Sequence, residues 1–272
     1  MLMTQRFAIG PRETATLNTA GLREHFLIEQ IFVPGEINLT YTHYDCMVVG
    51  GAQPTTTSLA LPRVAQGRLL SGTPRAGALN VGGAGTVTVD GTVHELGTQD
   101  CLYVGQRARE VVFASADAAR AAKFYLLSAP AHAAHPTTRR TQAEATPVEM
   151  GAPETANQRT IYKYIYAEGI QSCQLVMGLT TLKLGNVWNT MPAHTHDRRL
   201  DFDLPAGQRV LHLLGEPQET RPLWVSNEQA ILSSPWSIHT GCGTAGYSFI
   251  WGMAGENREY TDMDAVPLDA LR

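Results

Sequence analysis

Apolar positions in this chain recur mainly with a period of two. Leu39-Thr-Tyr41-Thr-His43 alternates, and Gly85-Thr-Val87-Thr-Val89 does so again; Gly and Pro break the chain about every 8–12 residues. That texture predicts an all-β sandwich or barrel. Asn80 to Leu96 reads as a hairpin in which Asp90-Gly91 supplies the positive φ angles of a two-residue turn. Cys101–Gly105, Glu110–Ala114 and Lys123–Leu127 continue the strands. One helix is predicted ahead of them, over Thr19–Glu29, with Thr19 as N-cap and Leu22, Phe26 and Leu27 on one face.

The texture changes at 128–160, where Ala, Thr, Pro and Glu dominate, and a second β-rich half starts at Arg159. The halves read as distant copies. Asp100–Gly105 corresponds to Gln229–Ser234, and Gly85-Thr-Val-Thr-Val to Arg209-Val-Leu-His-Leu. The predicted organisation is an N-terminal jelly-roll module without metal (1–130), a connector with one helical turn (131–158) and a metal-binding jelly-roll module (159–272). Gly82, Gly83 and Gly85 are not a phosphate loop, because a strand follows them where a helix N-terminus would be needed.

Candidate chemistry gathers in the second half. Met191-Pro-Ala-His194-Thr-His196 puts two imidazoles on one face of a strand; Asp201 follows, and His239 lies in Pro235-Trp-Ser-Ile-His239-Thr-Gly. A lone His-x-His is most often a polar strand edge. With a carboxylate and a distal histidine it becomes a mixed nitrogen and oxygen set suited to Zn, Fe, Mn or Ni. Asp203 rivals Asp201 as the oxygen ligand. His132 and His135 have no carboxylate or cysteine near them in sequence and read as structural, and the place analogous to His239 in the first half falls near Arg109 or Glu110.

Composition narrows the partners. The 272 residues are 43% hydrophobic and 17% charged with net charge -4, which gives no basic patch for nucleic acid. No apolar run is long enough to span a membrane or act as a signal peptide. Cys46, Cys101, Cys173 and Cys242 are widely spaced, as expected of free thiols in a cytoplasmic protein.

The His-x-His, carboxylate and distal His together resemble the metal pattern of cupins. Val81-Gly-Gly-Ala-Gly-Thr, Leu102-Tyr-Val-Gly, Asn189-Thr-Met-Pro-Ala-His-Thr-His-Asp-Arg-Arg, Gly215-Glu-Pro-Gln-Glu-Thr-Arg221 and Phe249-Ile-Trp-Gly-Met-Ala-Gly-Glu-Asn257 resemble the bacterial 5-keto-4-deoxyuronate isomerases. The resemblance covers nearly the whole chain. It implies an all-β two-module cupin with a few short helices, one Zn2+ per chain on His194, His196, Asp201 and His239, and a homo-oligomer, often a hexamer. It also implies conversion of 5-dehydro-4-deoxy-D-glucuronate, a small sugar acid of pectin breakdown, to 3-deoxy-D-glycero-2,5-hexodiulosonate. The family has Glu where this chain has Asp201, and a longer aromatic strand after it. The related 5-deoxyglucuronate isomerase of inositol catabolism and a non-catalytic sugar-acid-binding cupin are the alternatives.

An aldose–ketose rearrangement needs an electrophile for the enediolate charge and a base that moves a proton between neighbouring carbons. Glu219, Lys163, Tyr247 and Glu256 are candidates for the base, and Arg198, Arg199 and Arg221 for binding the substrate carboxylate.

Overall fold

The computed structural model describes residues 3–62, 76–106, 108–195, 198–255 and 263–272, with the backbone alone for 198–201. The first part of the chain runs β1 (Thr4–Arg6), α1 (Pro11–Ala15), α2 (Thr19–Phe26), β2 (Leu27–Ile28), β3 (Ile37–Thr42), β4 (Met47–Ala52), β5 (Leu59–Ala60), β6 (Ala76–Asn80), β7 (Gly85–Val89), β8 (Thr92–Leu96), β9 (Cys101–Val104), β10 (Val111–Ser115) and β11 (Phe124–Ser128). Then come β12 (Thr138–Arg140), β13 (Pro147–Met150), β14 (Arg159–Ile165), β15 (Leu175–Leu182), β16 (Trp188–Thr195) and β17 (Arg198–Asp203). The last strands are β18 (Val210–Glu216), β19 (Glu219–Val225), β20 (Ala230–Ser233), β21 (Ile238–Gly243), β22 (Ser248–Ala254) and β23 (Asp264–Ala265).

These strands build two sandwiches. The first pairs a seven-stranded sheet, β1-β3-β4-β11-β6-β9-β12, with a four-stranded one, β5-β10-β7-β8. The second pairs β13-β14-β15-β22-β17-β20-β2 with β19-β18-β21-β16-β23. The large sheets share one order: β3, β4, β11, β6 and β9 match β14, β15, β22, β17 and β20. Each sandwich has an apolar interior, around Val87, Phe113 and Phe124 in the first and Phe202, Leu223 and Trp251 in the second. A third core, with Tyr125, Leu127, Met177, Leu179 and Ile250, joins the two large sheets. Strands with both faces buried lose their polar alternation, and this is why Phe124-Tyr-Leu-Leu127 and Leu175-Val-Met177 read as unbroken apolar runs. A Cβ on Gly252 would lie 2.1 Å from Leu127 Cδ2, so glycine there lets the sheets close.

The predicted hairpin forms as read, with φ of 47° at Asp90 and 82° at Gly91. Three expectations shift. Asn18, not Thr19, caps α2, its Oδ1 accepting from the Gly21 N–H at 3.0 Å. The 131–158 stretch contains two strands besides a 3-10 turn at Pro153–Thr155; β12 extends the first large sheet and β13 the second. The N-terminal segment crosses over: β2 pairs with β20, and Leu22, Phe26 and Leu27 enter the interior of the second sandwich. Tertiary burial of an apolar helix face decides this placement, and nothing local encodes it.

Candidate metal and substrate site

β16 and β21 run side by side in the small sheet of the second sandwich, with His194 in register with His239. Their rings are 4.5 Å apart between centroids, at 79° to one another. His239 is 1% exposed and His194 is half-buried. The register of this pair jumps between Asn189 and His194, which advances β16 by five residues (189 to 194) against two on β21 (241 to 239). In a regular strand residues 189 and 194 would face opposite ways; the bulge brings both into register with inner-face residues of β21. On the outer face Ala193 and Ile238 pack beneath Val266, and β23 pairs with β16 at His194, so the C-terminal segment braces the histidine strand.

His196 lies outside the described residues, as does Glu256. Asp201, in β17, pairs in register with Ala230 and Ile250. Its neighbour Phe202 is buried against Tyr247, Phe249 and His212. Asp201 itself is placed by its backbone alone. Asp203, in register with Ser248, is exposed and within electrostatic reach of Glu228 and Lys123. Those two residues form an ion pair between the sandwiches. Among the described residues no third His, Cys, Asp or Glu joins His194 and His239 in a cluster.

The other sequence candidates scatter. Arg221 pairs with Leu214, so it shares the inner face, but its guanidinium donates to the Ala15 carbonyl at 2.6 Å and to Glu219. Glu219 is exposed at the end of the β18–β19 hairpin. Lys163 lies over the Tyr166 ring, 5.0 Å from its centroid, on β14; β15 and β22 separate that strand from β17. Tyr247 is buried, and its hydroxyl accepts from the Asn189 amide. Burial pushes the phenol far above its ordinary pKa, which favours its neutral, hydrogen-bonding form. Arg198 and Arg199 are placed by their backbone in β17.

The first sandwich differs at each corresponding place. Val111 pairs with Val89 and Phe113 with Val87, so the corresponding strand pair is apolar on its inner face. The inward positions of β10, where a counterpart of His239 would fall, are Val111 and Phe113, both buried and apolar. Burial also moves the strand correspondence by one residue, putting Val87 and Val89 in phase with the inward positions Val210, His212 and Leu214. His43 stacks on Phe7 with centroids 4.5 Å apart. His132 Nδ1 is 3.5 Å from Cys173 Sγ, a neighbour that sequence distance concealed. All four cysteines are free thiols.

Sequence reading passed over His212, which is fully buried on β18 at 0% exposure. Its signal is an imidazole at an inward position of the alternating run Val210-Leu-His212-Leu-Leu214. Burial lowers its pKa from 6.5 to about 3, so the ring is neutral.

Two linked jelly-roll sandwiches, one carrying paired imidazoles on its inner face, define a two-module cupin. This chain belongs to the KduI/IolB family, whose model it matches over residues 34–268. It is 50% identical over 273 residues to the 4-deoxy-L-threo-5-hexosulose-uronate ketol-isomerase of Formosa agariphila, covering 98% of both chains. To the protein of the same name from Kineococcus radiotolerans it is 51% identical, over 99% of this chain and all of that one. In fold it is similar to an IolB-like protein from Salmonella typhimurium, with a TM-score of 0.71 at 15% identity over 89% of this chain and 96% of that one. The oxalate decarboxylase of Lactobacillus farciminis aligns at TM-score 0.56 and 8% identity, over 82% of this chain and 79% of that one.

Proposed function

We propose that this chain is a ketol isomerase acting on 4-deoxy-L-threo-5-hexosulose uronate, the activity named for relatives half identical to it along their full length. The observation that carries the reading is the His194–His239 pair on the inner face of the second sandwich. Two converging imidazoles are a nitrogen donor pair that fits a borderline divalent ion such as zinc. His196 and Asp201 would complete the set, giving one Zn2+ per chain.

A bound divalent ion would supply Lewis-acid stabilisation of the negative charge that develops as the carbon-bound proton leaves. The chain contributes the rest. Phe202, Phe249 and Trp251 line the interior and exclude water, which strengthens every electrostatic contact made there. Tyr247 and Asn189 form a buried neutral pair that offers hydrogen bonds without taking the proton. Glu219 is ion-paired with Arg221, and Tyr247 accepts its hydrogen bond from Asn189 as a buried phenol. Arg198 or Arg199 is the cation we assign to the substrate carboxylate, since Arg221 is engaged elsewhere.

A homo-oligomer, hexameric in this reading, and a cytoplasmic location follow from the sequence resemblance. Among the described residues no helix is long and apolar enough to cross a membrane.

The test is turnover of the purified keto-uronate beside 5-deoxyglucuronate, run in deuterium oxide. Expected is preference for the keto-uronate, with solvent deuterium on the product carbon that gains hydrogen. Transfer without solvent label points to a hydride shift. No turnover of either compound by metal-loaded, folded protein sinks the isomerase reading and favours a sugar-acid binder.

A further inference from the structure

His212 presents a chemical imbalance. Neither ring nitrogen has a hydrogen-bond partner among the described residues, although the side chain is completely buried. Native interiors rarely leave such groups unmatched, because an unmet buried donor or acceptor is costly. Asn189, also fully buried, shares the imbalance: its amide nitrogen donates to Tyr247, and its Oδ1 has no partner among the described residues.

The two groups belong to one row. His212 pairs with Gly241 on one side of β21, and Asn189 pairs with the same Gly241 on the other. Cross-strand partners share a face, so the row His212–Gly241–Asn189 spans the inner surface of the small sheet with no side chain at its middle. The next row along β21 holds His239 and His194. Two residues of rise and one strand spacing separate the Cα atoms of His212 and His239 by roughly 8 Å.

The first sandwich supplies the comparison. The inner positions of its paired strands β7 and β10, Val87, Val89, Val111 and Phe113, are all apolar and buried in its core. A jelly roll of this design therefore packs without a polar group here. In the second sandwich the paired inner positions of β18 and β21 carry an imidazole and a glycine beside the histidine pair, and Val210 packs over the glycine, its Cγ1 3.0 Å from where a Cβ would lie.

We propose that His212 and Asn189 form a hydroxyl-binding subsite for the polyhydroxylated carbon chain of an acidic sugar, one row along β21 from His194 and His239. The assignment of an acidic sugar rests on the isomerase reading above. A neutral imidazole has one N–H donor and one acceptor nitrogen, and the Asn189 carbonyl adds a second acceptor. A ligand hydroxyl is donor and acceptor at once and complements this set. An ionised group would be poorly matched, since the subsite has no charged partner among the described residues; the carboxylate end of the ligand belongs elsewhere.

The test uses the full-length, metal-loaded protein and the variant His212→Leu, whose apolar side chain suits this core. Expected are unchanged metal content, a melting temperature equal to or above that of wild type, and a KM for the keto-uronate raised about 3–10-fold, the loss of one or two neutral hydrogen bonds. His212→Gln, which keeps a donor and an acceptor, should recover part of that affinity, and it serves as the variant should His212→Leu fail to fold. Gluconate is the non-reacting probe: its titration should shift the ring 15N resonances of His212 in wild type, and its affinity should fall in the variant. If wild type does not turn over the keto-uronate but gluconate still shifts His212, the isomerase reading fails and the subsite stands. A variant with wild-type KM and gluconate affinity overturns the subsite, whatever its melting temperature. Loss of metal on His212→Leu overturns it as well, making His212 a ligand.

Discussion

His194 and His239 face each other across a single strand pair, their ring centroids 4.5 Å apart, although 44 positions (239 − 194, less one) separate them in the chain. Removing either imidazole should abolish stoichiometric metal. For His239→Gln, chosen because Gln limits the cavity left at this buried position, we expect less than a tenth of the wild-type zinc per chain after dialysis and at least a hundredfold loss of turnover. Elemental analysis of dialysed protein decides it. One zinc per chain in a His194, His196 and His239 triple variant would place the metal elsewhere.

The carboxylate is a sharper question. If Asp201 is a ligand, Asp201→Ala should lower metal affinity about 10–100-fold, and Asp203→Ala, at an exposed position, should change it little. Competition with a chelator reads both affinities. Equal, wild-type affinity in the two variants would mean that the oxygen ligand comes from another residue.

Acid stability should report on His212. Its folded pKa lies near 3 against 6.5 in the open chain, so the unfolded state takes up this proton first. The contribution is complete above about pH 6.5 and is lost as pH falls towards 3, by up to about 1.4 kcal/mol per pH unit. Urea unfolding at pH 7 and pH 5 should show a shallower loss for His212→Leu than for wild type. Identical losses would mean that the ring is not held neutral by burial.

The joint between the sandwiches is tight at Gly252. A methyl group there meets Leu127 Cδ2 at 2.1 Å, so Gly252→Ala should destabilise the protein by about 1–3 kcal/mol through overpacking. Leu127→Ala should cost about 2–5 kcal/mol alone. The double variant should be more stable than the sum of the single losses predicts, because each change relieves the other. Simple additivity in urea unfolding would mean that the two sheets do not meet at this point.

The period-two pattern, the Asp90-Gly91 turn and the matching halves were all legible in the sequence, because alternation and turn chemistry are local consequences of side-chain geometry. The sequence also grouped His194 with His239, and the two strands that carry them do pair. Other features had no local sign. The helix face of Leu22 and Phe26 could have been buried by either half, and only docking beside β20 chose the second. The bulge before His194 decides which residues of β16 face inward, and a bulge depends on the partner strand. The one-residue error in matching Gly85–Val89 to the second half has the same origin, since alternation alone leaves register free until a partner sheet buries one face. His212 stayed hidden for a related reason. In sequence it is one polar residue in an apolar run, and its meaning comes from Gly241 and Asn189 beside it, which the tertiary structure alone brings into one row.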